Sequence, residues 1–467
     1  MRQPKSDNRM SNRTGIKLLK LLIGSSEPTV ATHLLREASG TFLIKVAAAF
    51  LSILSGVVLA RILGPSGYGS YAYVLSIVSL LSLLAAMGFP QLLVREVSAY
   101  HEKKRWDLMK GIIIRSHQVT LVASIVIVFS TAVLVYTGIF RLRIFESEVL
   151  LLALFLIPVR VITKVKTEII RGYKYIVLSQ LPSLVLDPLL FLLFVAFIYF
   201  LKGKDIVVIG AIEARVLSAL VVLLIVTYLS HVRRPLFLKN ISPVFRTRLW
   251  GKVALRMLFI GSLLLVMNQT DILMLGIFKN ARDVGLYRVA QRCAQLIGFG
   301  LVAVNTTIAP TVSSLFAAGE SERLQRLMIK SARSTVFYAM PLALLLILYG
   351  KPVISIAFGH DFVFAGSALI LLVTGQFFSA IMGSVGIFLT MTGHEKDTAK
   401  GMVLAALLNV LLNGLFIPSW GILGAALATS STLVLWNIFL GYMVHKRLDI
   451  YPSAVGFLAA DRMNRNE

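Results

Sequence analysis

Seven basic side chains lie inside stretches of this chain that are otherwise apolar: Lys45, Arg115, Arg160, Arg215, Arg256, Arg288 and Arg292. A lysine or arginine at the centre of a bilayer costs about 2.5–3.5 kcal/mol on insertion scales. Seven are a heavy burden unless several face a water-filled interior. Only three acids, Asp187, Glu213 and Asp271, share those stretches. The excess of cations points to an anionic guest. Lysine and arginine are phosphate donors, and arginine adds a bidentate fork; a cationic compound would be repelled by the same interior.

Spacing sharpens part of this. Arg288, Gln291, Arg292 and Gln295 stand at i, i+3, i+4 and i+7, one stripe of a helix. In lipid such a stripe has to face protein or water. The alternative for one of its arginines is an ion pair with Asp271, at similar depth. Asp187-Pro188 interrupts a helical hydrogen bond near mid-membrane and should kink the chain there. A buried carboxylate can carry a coupling proton, or simply pair with a neighbouring cation. Asn409 and Asn413, one turn apart, read as interhelical hydrogen-bond donors. The candidate binding set is therefore Lys45, Arg160, Arg215, Arg256, Arg288 and Arg292 with Gln291 and Gln295. Asp187 and Asp271 are coupling candidates. Arg115 is placed to snorkel toward the headgroups.

These residues need helices to hold them. The chain is 57% hydrophobic, with a mean hydropathy of +0.82, against roughly 45–50% apolar in soluble domains. Twelve segments are long enough to span about 30 Å of hydrocarbon: 40–60, 70–91, 112–138, 149–166, 176–200, 206–229, 252–275, 285–310, 333–350, 366–391, 400–418 and 421–444. Strict alternation over about ten residues, the mark of a barrel strand, is missing. The expected class is all-α and polytopic. The formal charge of +25 is concentrated in the termini and the even-numbered connections, which by the positive-inside rule puts both termini in the cytoplasm of a cell-membrane protein. Lys45, Arg115, Arg160 and Arg256 then lie in the cytoplasmic half of the bilayer, and Arg215, Arg288 and Arg292 in the outer half. The basic connection with Arg233, Arg234, Lys239, Arg246 and Arg248 reads as a topology signal that touches anionic lipid, with no role for nucleic acid.

The segments fall into two sets of six that resemble each other. Gly69/Tyr71 and Gly285/Tyr287 stand at corresponding places, as do Pro90 and Pro310, and the Arg171-Gly172-Tyr173-Lys174 and Thr392-Gly393-His394-Glu395-Lys396 connections. A duplication in which both units begin on the same side predicts a pseudo-two-fold axis along the membrane normal, with the path between the units. By that repeat Lys45 and Arg256 hold equivalent positions, facing each other across the axis. The expected organisation is a basic tail (1–38) with a small interfacial helix around Leu18–Ile23, a first lobe (39–229), a linker (230–251), a second lobe (252–444) and a C-terminal tail (445–467).

Catalytic chemistry is not visible. There is no Gly-x-x-x-x-Gly-Lys-Ser/Thr phosphate loop and no Asp-x-Asp pair, and His101-Glu102 and His394-Glu395 lack a second histidine. Short connections such as Pro418-Ser419-Trp420-Gly421 leave no room for an enzymatic domain. A single cysteine, Cys293, excludes an intrachain disulfide and a multi-cysteine metal site. The expectation is a secondary transporter or flippase without a cofactor, coupled if at all to a proton or sodium gradient, and not an enzyme.

The run Ala60-Arg61-Ile62-Leu63-Gly64-Pro65-Ser66-Gly67-Tyr68-Gly69, followed by Gly88-Phe89-Pro90 and Arg95-Glu96, resembles the polysaccharide-transport family. So do Leu315-Phe316-Ala317-Ala318-Gly319, Phe358-Gly359 and Gly421-Ile422-Leu423-Gly424-Ala425-Ala426. These are the Wzx-like flippases of the multidrug/oligosaccharidyl-lipid/polysaccharide superfamily. The resemblance covers about residues 35–445. It implies a MATE-like fold of two six-helix lobes around a cationic cavity. It also implies transfer of polyprenyl-diphosphate-linked oligosaccharide from the cytoplasmic to the outer leaflet by alternating access, with a polysaccharide polymerase and assembly proteins as partners. The alternatives within the superfamily are a peptidoglycan-precursor (lipid II) flippase and a multidrug exporter. The basic tail before the first segment is longer than the family's usual start.

Overall fold

The computed structural model describes residues 30–138, 147–203, 207–235, 238, 240–452 and 454. The Leu18–Ile23 segment, most of the expected N-terminal tail and the stretch 455–467 lie outside these. Every regular element among the described residues is a helix. They are α1 (Val30–Ala86), α2 (Phe89–Glu102), α3 (Trp106–Tyr136), α4 (Ser147–Leu154), α5 (Leu156–Gly172), α6 (Ile176–Leu181), α7 (Asp187–Lys202) and α8 (Val208–Val232). After the linker come α9 (Thr247–Phe278), α10 (Ala281–Ala317), α11 (Ser321–Phe358), α12 (Gly366–Met382), α13 (Val385–Met391) and α14 (Glu395–Leu448).

Nine helical runs among the described residues are long and apolar enough to cross a membrane, and the chain is a multi-pass membrane protein. The difference from twelve segments has local causes. The first two segments share α1, interrupted at Gly64 (φ 65°, ψ 179°) just before Pro65. A left-handed φ suits glycine, and the following proline lacks the N–H a continuous helix needs. The last two share α14, interrupted at Gly421 (φ 53°, ψ −126°) three residues after Pro418. The 149–166 segment is split between α4 and α5 at Phe155. The 366–391 segment is split at Gly383, between α12 and α13. The kink expected at Asp187-Pro188 sits one turn earlier, as a π-helical turn at Pro182–Leu186 joining α6 to α7.

The faces of the helices are inverted relative to a soluble protein. On α3, Val122, Val126, Phe129 and Val133 form an exposed apolar stripe, with Phe129 70% accessible. On the same helix Ser116, Thr120 and Ser124 are fully buried. Their hydroxyls are satisfied within the helix, Thr120 donating to Ser116 O and Ser124 to Thr120 O, both at 2.7 Å. Lipid solvates the large side chains, and small polar ones allow close helix approach. The largest core cluster joins α1, α5, α7 and α8 to α9, α10, α11 and α12. Between the halves, α9 runs antiparallel to the second limb of α1. Ala254 O lies against Gly88, and Ser76 Oγ donates to Gln269 Oε1 at 2.9 Å.

Candidate functional site

A cavity of about 210 Å³ lies where these helices converge. Both limbs of α1 contribute, Ser52 and Ser55 from the first, and Tyr68, Tyr71, Ser76 and Ser79 from the second. Arg160 comes from α5, Phe191 from α7, Arg215 from α8, Gln269 from α9, and Arg288 and Arg292 from α10. Four of the seven membrane cations thus share one wall.

Their electrostatic states differ. Arg215 Nη2 donates to Asp187 Oδ2 at 2.8 Å, Ser218 Oγ donates to Asp187 Oδ1 at 3.1 Å, and the guanidinium lies 5.0 Å from the Phe191 ring centroid. That cation is compensated. Arg288 Nη1 donates to Gln291 Oε1 at 2.8 Å, and Arg292 Nη1 donates to the backbone carbonyl of Ser52 at 2.5 Å. Neither of them, nor Arg160, has an ion pair among the described residues. The wall therefore carries three uncompensated positive charges, with serine, tyrosine and glutamine groups between them. Arg292 reaches across because position 56 has no side chain: a Cβ on Gly56 would stand 1.9 Å from Arg292 Nη1.

The other expected site residues lie elsewhere. Gln291 and Gln295 line a smaller cavity of about 140 Å³ with Asn268, Gln376 and Thr429. Residues 291 and 292 are about 100° apart around a helix, so the stripe straddles two grooves. Lys45 is half-buried outside both walls. It is seven residues from Ser52, on the same face of α1 and about 10 Å along it by helical rise. Arg256 is exposed and lines neither cavity. Asp271 is fully buried and accepts from Tyr287 Oη (2.5 Å), Thr429 Oγ1 (2.8 Å) and Asn413 Nδ2 (2.8 Å). Hydroxyl and amide donors surround it in place of the arginine considered from depth. Asn413 makes the interhelical bond expected of that pair.

Sequence reasoning missed the hydroxyl half of the wall. Tyr68, Tyr71, Ala72, Leu75, Ser76 and Ser79 stand at i, i+3, i+4, i+7, i+8 and i+11 and all line the cavity. That helical stripe was available from spacing alone.

Beside Tyr68 and Tyr71 of the wall, at the Gly64 end, the two halves cross backbone to backbone. A Cβ on Gly69 would stand 1.7 Å from Ala281 O, and one on Gly285 would stand 2.0 Å from Pro65 O. The two glycines of the repeated Gly-x-Tyr pairs therefore meet. At the same end Arg61 Nε donates to Ala357 O at 2.8 Å and its Nη2 to Ile356 O. Lys279 Nζ donates to Pro418 O at 2.9 Å. Both cations satisfy carbonyls in the last turn of a helical limb, where no intrahelical donor exists.

The family model described as polysaccharide biosynthesis protein matches residues 34–316. The chain belongs to that family. A second model, lipid II flippase MurJ, matches residues 188–457, so the Wzx-like resemblance within the multidrug/oligosaccharidyl-lipid/polysaccharide superfamily holds over both halves. Among relatives of this polysaccharide biosynthesis protein, the probable low-salt glycan biosynthesis flippase Agl15 of Haloferax volcanii is 28% identical over 160 residues. That match spans 34% of each chain, about a third of the relative's length. The putative O-antigen transporter of Shigella flexneri is 21% identical, covering 85% of this chain and 94% of its own. Among solved structures, lipid II flippase MurJ in an inward closed conformation superposes with a TM-score of 0.69 at 14% identity, over 86% of this chain and 87% of that one. At that identity the likeness speaks for the fold.

Proposed function

We propose that this protein is a flippase that carries a polyprenyl-diphosphate-linked oligosaccharide from the cytoplasmic to the outer leaflet of the cell membrane by alternating access. The observation that carries the reading is the wall of Arg160, Arg288 and Arg292, three cations set among hydroxyl groups and without an acid partner among the described residues. A diphosphate supplies the missing negative charge, and serine and tyrosine hydroxyls suit sugars. At about 210 Å³ the cavity is smaller than the roughly 300–1,000 Å³ of drug-sized ligand sites. In this state it fits the diphosphate, and the sugars require the halves to part. The lipid tail stays in the bilayer. Lys45, about two turns along α1, serves the approach; Gln291 positions Arg288. Arg256, exposed on α9, is left to the membrane surface.

The reading counts twelve passes. The broken helices α1 and α14 supply two each, and α4 with α5 supplies the one too fragmented to qualify alone. Residues 39–229 and 252–444 form the two lobes. With both termini cytoplasmic, the Gly69–Gly285 crossing closes the outer end. Asp187, held by Arg215, is the coupling candidate for a proton or sodium ion. Asp271 is assigned to packing.

The test is export of surface glycan in a strain lacking this gene, complemented with variants at matched protein levels. Arg288→Ala/Arg292→Ala is expected to abolish export while lipid-linked oligosaccharide accumulates inside. Full export by that variant would overturn the cationic-cavity reading. The MurJ model over 188–457 favours a second reading, a lipid II flippase, which shares the diphosphate. Rescue of a lipid II flippase depletion, with surface glycan unchanged, would select it.

A further inference from the structure

A separate cavity of about 220 Å³ lies at the opposite end of the first half from Gly64. Its wall contains Lys110 and His117 of α3, Lys166 of α5, His231 of the last turn of α8, and Arg234 just beyond it. It shares no residue with the arginine cavity. Among the described residues no carboxylate lines it, although three acids are close in sequence. Each of those is held by a cation outside the pocket: Glu102 by Lys174, Asp107 by Arg105 at 3.1 Å, and Glu168 by Lys164 at 2.6 Å and Arg171 at 3.6 Å. The Lys174 ammonium holds the exposed Glu102 carboxyl below its ordinary range, so that acid stays charged and engaged elsewhere.

The pocket is graded from surface to depth. His231 and Arg234 are exposed; Lys110, His117 and Lys166 are half-buried. Lys110 Nζ is anchored on Ile241 O at 2.7 Å, and the Nδ1 of His117 lies 2.8 Å from Ile113 O. If Nδ1 donates there, Nε2 remains for a guest. Tyr173 and Ser230 add hydroxyls. Helix α5 packs against both α3 and α8 and forms the floor between them. The outer faces of α8 beside the pocket, Leu224 and Tyr228, are each 69% exposed. Cations at headgroup depth beside a lipid-facing surface make a site for a phosphate attached to an acyl chain.

We propose that this pocket binds the phosphate headgroup of an anionic glycerophospholipid, drawn from the leaflet at that end and distinct from the transported lipid. The site rests on side-chain placement and not on the transport reading. Its test is therefore a binding measurement on purified full-length protein in phosphatidylcholine nanodiscs titrated with phosphatidylglycerol. Saturable binding of about one lipid per chain is expected, weakened about tenfold or more in Lys166→Gln/Arg234→Gln. The single variant Arg234→Gln, at an exposed position, should show a smaller loss without any risk to folding. Lys396→Gln/Lys400→Gln removes the same charge at the other half and should bind as the wild type does. Arg288→Ala/Arg292→Ala should also bind normally, which separates this proposal from the transport reading. Equal loss in the Lys396/Lys400 control would reduce the effect to general surface charge and overturn the site. Displacement of the lipid by millimolar inorganic phosphate, or preferential displacement by polyprenyl diphosphate, would likewise overturn it, assigning the pocket to free phosphate or to the transported substrate.

Discussion

Replacing Gly285 by alanine should prevent the Gly64 end of the molecule from closing. The added methyl would stand 2.0 Å from Pro65 O, 3.0 Å from Pro65 C and 3.1 Å from Gly69 N, all backbone atoms that cannot rotate away. A carbon–oxygen contact relaxes at about 3.3–3.6 Å, so α10 and α1 must separate by roughly 1.3 Å at the crossing. Overpacking of this kind costs about 1–3 kcal/mol, a shift of roughly five- to 150-fold toward states in which the crossing is open. The sign is diagnostic. An alanine at a helical glycine with no neighbour stabilises by about 0.8–1 kcal/mol, and Gly251, with nothing near its Cβ site, is the internal control. The assay places a reporter in the cavity wall, Ser55→Cys with Cys293→Ala, and measures labelling by an impermeant thiol reagent added outside intact cells. Labelling should rise in Gly285→Ala, and in Gly69→Ala, but not in Gly251→Ala. Unchanged labelling with raised thermal stability in Gly285→Ala would refute the crossing and the closed-end assignment that depends on it.

Two further perturbations probe the charges. Asp187→Asn leaves Arg215 without its ion-pair partner and adds a fourth uncompensated cation to the wall. With both side chains 19% exposed, the loss should be about 1–3 kcal/mol, less than for a fully buried pair. Arg215→Gln in the same chain should recover part of it in a double-mutant cycle of thermal unfolding, and strict additivity would show the pair to be energetically idle. Asp271→Leu, in contrast, takes away the acceptor shared by Tyr287, Thr429 and Asn413; Asn413 keeps Asn409 O and the two hydroxyls keep each other, so the cost should be about 1–3 kcal/mol. Solubilised protein with an unchanged melting temperature would contradict that network.

How much of this was legible depended on whether the information runs along a helix or around it. Membership was legible: the apolar segments marked Arg160, Arg215, Arg288 and Arg292 as cations within the bundle, and the four line one cavity. Azimuth was not. Lys45 and Arg256 read as equivalent partners across an axis, yet one is half-buried outside the cavity and the other is exposed. In lipid both faces of a helix are apolar, so periodicity loses the contrast that orients a helix in water. Only the polar minority marks the inward face, which is why Tyr68, Tyr71, Ser76 and Ser79 would have been better guides than hydrophobicity. The breaks at Gly64 and Gly421 were readable as segment ends, because left-handed backbone and nearby proline announce themselves in single residues. That Gly69 and Gly285 touch was not readable, although both hold matching positions in the repeat. Matching shows that two sites are alike, and the contact comes from how the halves are docked.

On the proposed flippase function, the charge balance of the cavity bears on how idling is avoided. Three like charges around about 210 Å³ repel. At a separation of about 8 Å and an effective dielectric of 20, each pair contributes roughly 2 kcal/mol. Closing both ends over an empty cavity, without solvent to screen them, is therefore unfavourable by several kcal/mol. On the function proposed above, a diphosphate reverses the sign of that sum, so that the loaded carrier closes where the empty one resists. Asp187 is bound to Arg215 of the wall and, counted over the described ion pairs, leaves three positive charges there instead of four. On this argument Asp187→Asn, which removes the carboxylate paired with Arg215, should raise the repulsion and increase Ser55→Cys labelling even in the absence of substrate. Labelling that stays at the wild-type level while the ion pair is demonstrably broken would leave Asp187 a structural residue only.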